Sequence, residues 1–336
     1  MSTDAKPADL VLEGGGVLGI AHVGAVSVFL EHGYRFERVA GTSAGAVVGS
    51  LIAAGMPHDR LRPVMDDLNY RGLLDRNNLA KVPIVGTPAA VLFKAGVCKG
   101  DRLREWLGNL LHDLGVETFE QLKLPPDPRD GLEDYQRYKL VVITADVTSG
   151  RIARLPWDYQ RLYGLDPDKQ RVVDAVRASM SIPYLFEPFK LRHATGTSRF
   201  VDGGVLSAFP IDAFDRRDGK QPRWPTFGIK LIPPLPKADT KLLPWVRLLH
   251  RVPAARLFEQ IAATMIVGHD QTYLDQPWVA KRAIQVDTDA LNMFDFGIGK
   301  PARDFLYDHG RSAATGFLDT WDWVSYRDEY RAGPPA

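Results

Sequence analysis

The sequence predicts an α/β fold built on a parallel or mostly parallel sheet. Short apolar or β-branched runs of strand length alternate with longer helical patterns, and glycine turns mark the passage from one to the other. The chain has 336 residues with 45% hydrophobic and 25% charged, enough to bury a sizeable core without disulfides or metals.

The elements follow in order. Leu10–Leu12 is a short apolar run that leads into Gly14, Gly15 and Gly16. A helical pattern runs from about Gly19 to Glu31 and stops at Gly33, a C-terminal stop signal. Val39 and Ala40 lead into Gly41-Thr42-Ser43-Ala44-Gly45, and a small-residue helix then runs to Gly55 and Pro57. Further strands are expected at Lys139–Thr144, Ser198–Val201 and Phe227–Ile232, with helices at Asp101–Leu114 and Val172–Met180. Leu124–Arg137, rich in Pro and Asp, reads as a surface loop. There is no internal repeat.

The bulk properties narrow the function. Lys and Arg number 42 against 41 Asp and Glu, so a net charge of +1 argues against nucleic acid as the main partner. The single cysteine, Cys98, excludes an internal disulfide framework and reads as a packed side chain. The first residues lack the pattern of a secretory signal, and no stretch is apolar enough to span a membrane, so a cytoplasmic protein is expected. No metal-ligand pattern is present, and neither metal nor cofactor is expected.

Three motifs carry chemistry. Gly41–Gly45 fits G-x-S-x-G, a sharp strand-to-helix turn that exposes the Ser43 hydroxyl beside a helix N-terminus. Its bland reading is a tight turn. Gly14–Gly19 can converge several backbone N–H groups on one point, as an oxyanion hole or as a phosphate cradle, with Glu37 loosely placed as a ribose-binding acid. Asp202-Gly203-Gly204 ends a strand, where an Asp can face a neighbouring loop or simply make a turn.

Together, and in this order, the three motifs resemble the patatin-like phospholipase family, which includes relatives of the neuropathy target esterase. Softer matches are Thr144–Gly150, Arg177–Pro183, Phe209-Pro210-Ile211, Arg282–Phe296 and Lys300–Gly310. Two positions depart from the family's pattern: Leu18 replaces a common Arg or Lys, and Ala208 replaces a common Asn.

The resemblance implies a three-layer α/β/α sandwich of the modified α/β-hydrolase kind in one domain, residues 1–336. A core of about 8–215 would be followed by a C-terminal elaboration of about 216–330. It also implies a lipid acyl-hydrolase with Ser43 as nucleophile and Asp202 as proton acceptor. Gly14, Gly15 and Gly16 would form the oxyanion hole, while Gly19, Gly41, Gly45, Gly203 and Gly204 support the turns.

Three alternatives stand beside this. One is a Ser-His-Asp carboxylesterase using His250, His269 or His309, and the second is an inactive lipid-binding module. The third is a nucleotide-binding enzyme. The segment from about Leu235 to Met265 is expected to cover the site, and its basic stripe within about 235–258, with Trp245 and Leu248 among Lys237, Lys241, Arg247, Arg251 and Arg256, to meet a lipid surface.

Overall fold

The computed structural model describes residues 5–76, 78, 95–127, 131–232, 276–288 and 291–331. Its centre is a mixed sheet of eight strands. These are β1 (Lys6–Leu12), β2 (Tyr34–Thr42), β4 (Leu140–Asp146), β5 (Arg151–Leu155), β7 (Phe189–His193), β8 (Gly196–Asp202), β9 (Thr226–Ile232) and β10 (Ala283–Asp287). β3 (Gly96–Cys98) and β6 (Tyr184–Phe186) form a separate two-stranded pair. The main order is β10-β9-β1-β2-β4-β8-β7, with β5 also on β4. The five strands from β10 to β4 are parallel, and β5, β7 and β8 add antiparallel pairings.

Helices cover both faces and give the expected three layers. α1 (Ile20–Glu31) packs with α3 (His58–Asp66) and α8 (Lys300–Leu318). α2 (Ala44–Ala53) packs with α4 (Asp101–Asp113) and α6 (Val172–Ser179). α5 (Trp157–Tyr163), α7 (Pro277–Ala280) and α9 (Trp323–Tyr330) are shorter.

β1 and β4 are buried on both faces, which is why they read as unbroken apolar runs rather than as alternation. α1 is buried from Ile20 to Phe29 because the sheet lies on one side and α8 on the other. Gly24 and Gly310 make that crossing possible. A Cβ on Gly24 would strike the Tyr307 carbonyl, and one on Gly310 would strike that of Ala21.

The helix expected from Gly19 begins one residue later, after a 3-10 turn over Gly16–Gly19. Leu124–Arg137 is largely irregular where it is described, with one short 3-10 turn at Asp134–Gln136. Cys98 is packed in β3, where burial pushes its thiol up to about 12. Beyond residue 215, β9 continues the sheet directly beside β1, and β10 pairs with β9 at its edge. Among the described residues no helix is long and apolar enough to cross a membrane.

Candidate active site

Parallel strands direct their C-terminal ends to one edge of the sheet, where ligand sites of α/β folds collect. β1, β2 and β9 all end there, and β8 brings its own end to β4 by pairing Asp202 with Thr144.

Ser43 stands between β2 and α2 with φ 53° and ψ −122°, a strained backbone for a residue with a side chain. The turn can be this sharp because Gly45 brings α2 onto the end of β1. A Cβ there would drive into the Leu12 and Glu13 carbonyl oxygens. Ser43 N–H donates to Ser179 Oγ at 2.8 Å, and Ser179 Oγ donates to the Ile143 carbonyl at 2.6 Å. The Ser43 side chain does not cap α2 and is left available. Its hydroxyl donates to Asp202 Oδ2 at 2.6 Å, and Met180 Sδ lies 3.5 Å from Ser43 Oγ.

Asp202 is 3% exposed. Its other oxygen accepts the Gly204 N–H at 2.8 Å, and its own N–H donates to the Ser181 carbonyl at 2.9 Å. Burial raises the carboxyl to about 6, against the opposing pull of the Ser43 and Gly204 donors. Gly203 lies against the Ile143 carbonyl.

The glycine loop passes beside Ser43. A Cβ on Gly14 would lie 3.3 Å from Ser43 Cβ, and one on Gly19 would lie 3.0 Å from Ala44 Cβ. Gly16 has φ 56° and faces the Met293 carbonyl, which accepts the Val17 N–H at 3.0 Å. The three expected donors differ in use. Gly14 N–H is committed to the Ala208 carbonyl at 3.1 Å, whereas those of Gly15 and Gly16 have no acceptor among the described residues. Gly14 is therefore an anchor of the loop rather than a free donor.

Sequence reasoning missed three participants. Ala44 N–H, the first of α2, also has no acceptor among the described residues and follows Ser43 directly. Ser179 and Met180 were visible only as part of the Arg177–Pro183 match. Arg177, 5% exposed, shapes that turn by donating to Ser181 Oγ at 2.6 Å and to the Lys99 and Glu187 carbonyls.

The two departures are both buried. Leu18 is 0% exposed in the core, and Ala208 contributes its carbonyl to Gly14. Glu37 lies in the first half of β2, away from the glycine loop, and pairs with Arg35. That placement removes the acid a dinucleotide site needs there. His309 Nδ1 bonds the Asp287 carbonyl at 3.1 Å and its ring packs on Phe305. His250, His269 and the basic stripe within 235–258 lie outside the described residues. Among the described residues no histidine bonds Ser43 or Asp202, and no group of three His, Cys, Asp or Glu could hold a metal.

A family model described as patatin-like phospholipase matches residues 10–215. The Bacillus subtilis protein YqhO is 34% identical over 319 residues, covering 94% of this chain and 99% of its own. An NTE family protein of Mycobacterium bovis is 26% identical over 202 residues, 60% of this chain and 44% of its own, so the match spans less than half of that relative. VipD from Legionella pneumophila has a similar fold, with a TM-score of 0.52 at 17% identity over 95% of this chain and 67% of that one. With well over half of its length matched by the family model, the chain belongs to the patatin-like phospholipase family, a family of lipid hydrolases.

Proposed function

We propose that the chain hydrolyses carboxylic esters of lipids or phospholipids through a Ser43–Asp202 dyad and an acyl-enzyme. The observation that carries this reading is the 2.6 Å hydrogen bond from the strained Ser43 hydroxyl to the buried Asp202 carboxylate. An ordinary aspartate is a weak base at neutral pH, and a value near 6 brings Asp202 closer to its task while leaving it ionised at pH 7.

In the first half-reaction Ser43 Oγ attacks the ester carbonyl carbon as Asp202 Oδ2 takes its proton. The carbonyl oxygen becomes an oxyanion facing the N–H groups of Gly15, Gly16 and Ala44. The C–O bond to the alcohol then breaks, and the leaving oxygen takes the proton from Asp202. In the second half, water attacks the acyl carbon and passes a proton to Asp202. The fatty acid departs as Ser43 regains that proton.

The test is hydrolysis of short-chain aryl esters and of lysophospholipid by wild type and Ser43→Ala. Wild type is expected to turn over both, and Ser43→Ala to lose on the order of 10³-fold or more in kcat. Equal rates in the two proteins would defeat the assignment. Absence of wild-type turnover with retained lipid binding would favour a binding module.

A further inference from the structure

Glu13 ends the path of β1 and opens the glycine loop, yet its side chain is only 8% exposed. Its Oε1 accepts from Lys230 Nζ at 2.7 Å, and the Lys230 side chain is 9% exposed. Its Oε2 accepts from the backbone N–H of Leu231 at 2.6 Å.

The second bond is the informative one. In a parallel ladder, a residue that donates its N–H to one carbonyl of the neighbouring strand receives, at its own carbonyl, the N–H two residues further on. Glu13 N–H donates to the Ile229 carbonyl at 3.1 Å, so Leu231 N–H is the donor due at the Glu13 carbonyl. That carbonyl has turned away and accepts from His22 Nε2 at 2.8 Å. The carboxylate of Glu13 takes its place. The side chain thus carries the ladder one step beyond the point where the backbone leaves the sheet. The Leu231 side chain in turn fills the space against Gly15, where a Cβ would collide with it.

A buried ion pair is seldom the most stabilising choice, and an apolar pair of similar volume often serves a sheet as well. Here an apolar residue could not accept the Leu231 N–H. We propose that Glu13 is a positioning residue for the oxyanion donors, with Lys230 as an ion-pair partner of its carboxylate. It ties β9 to the root of the glycine loop and so sets the Gly15 and Gly16 N–H groups toward Ser43. The proposal rests on reading that loop as an oxyanion hole.

Two paired variants test it against a soluble aryl ester. Glu13→Leu with Lys230→Met removes both charges and the acceptor. It is expected to fold but melt below wild type, since the Leu231 N–H loses its acceptor, and to lose about 10- to 100-fold in kcat, with KM within about two-fold. Glu13→Gln with Lys230→Met keeps an acceptor oxygen and is expected to recover kcat to within about five-fold of wild type. Wild-type kcat in a folded Leu/Met pair would overturn the proposal. If that pair does not fold, a Gln/Met pair that folds but shows the full loss would overturn it as well. Ser43-dependent turnover by wild type, measured alongside, separates this failure from failure of the hydrolase reading. Its absence would remove both.

Discussion

At the scale of single residues, the proposed mechanism ties activity and stability to one buried carboxylate, that of Asp202. Its folded value of about 6 lies above the ordinary 3.8, so the folded state holds the proton more tightly than the unfolded chain. The resulting stability is complete below about 3.8 and is lost as pH rises through about 6, a change of about 3 kcal/mol. Asp202→Asn is therefore expected to melt higher than wild type at pH 8 and to lose that advantage near pH 4. Its turnover should be abolished at both. In wild type, kcat for a soluble ester should rise through about pH 6 and then level off, because only the ionised carboxylate can accept the Ser43 proton. Thermal melts and a pH–rate profile check both statements, and a flat profile across that range would exclude Asp202 as the base. Ser43, Asp202 and the glycines were legible in the sequence because a sharp turn and close backbone approach leave few residue types free. Ser179 was not, since a serine that accepts one buried N–H resembles any other serine. Glu13 and Lys230 were not, because 217 residues separate them and nothing local announces the pair.

At the scale of elements, β4, β9 and the helices bounded by glycine were read close to their observed limits, whereas β1 and β2 begin well before the runs Leu10–Leu12 and Val39–Ala40. α3 and α8 were not identified as helices. In α8 the inward face includes Gly310 and Ala314, small residues that give little apolar signal even where packing is tightest. The same helix offers a direct comparison. Gly310 faces backbone atoms of α1, whereas a Cβ on Gly316 would meet nothing within 4 Å. Gly310→Ala is expected to destabilise by about 1–3 kcal/mol through overpacking. Gly316→Ala should stabilise by roughly 0.5–1 kcal/mol through helix propensity. Chemical denaturation distinguishes them, and shifts of the same sign would contradict the packing described.

At the scale of the whole molecule, the match to the family model ends at residue 215, but the sheet and its cover do not. β9 supplies the neighbour of β1, Met293 holds the glycine loop, and α8 shields α1. A chain truncated after residue 215 is expected to be insoluble or to lack a cooperative melt, as far-ultraviolet circular dichroism and thermal scanning would reveal. A soluble, cooperatively melting fragment would contradict this. These partnerships were hidden in the sequence because they join its two ends. The glycine-to-glycine crossing of α1 and α8 sets a timetable for biosynthesis. Gly24 leaves the ribosome 286 residues before Gly310. At about 5–20 residues per second, roughly 15–60 s pass before α1 can meet its partner. Throughout that interval the apolar helix behind the glycine loop lacks the helix that covers its outer side in the folded protein.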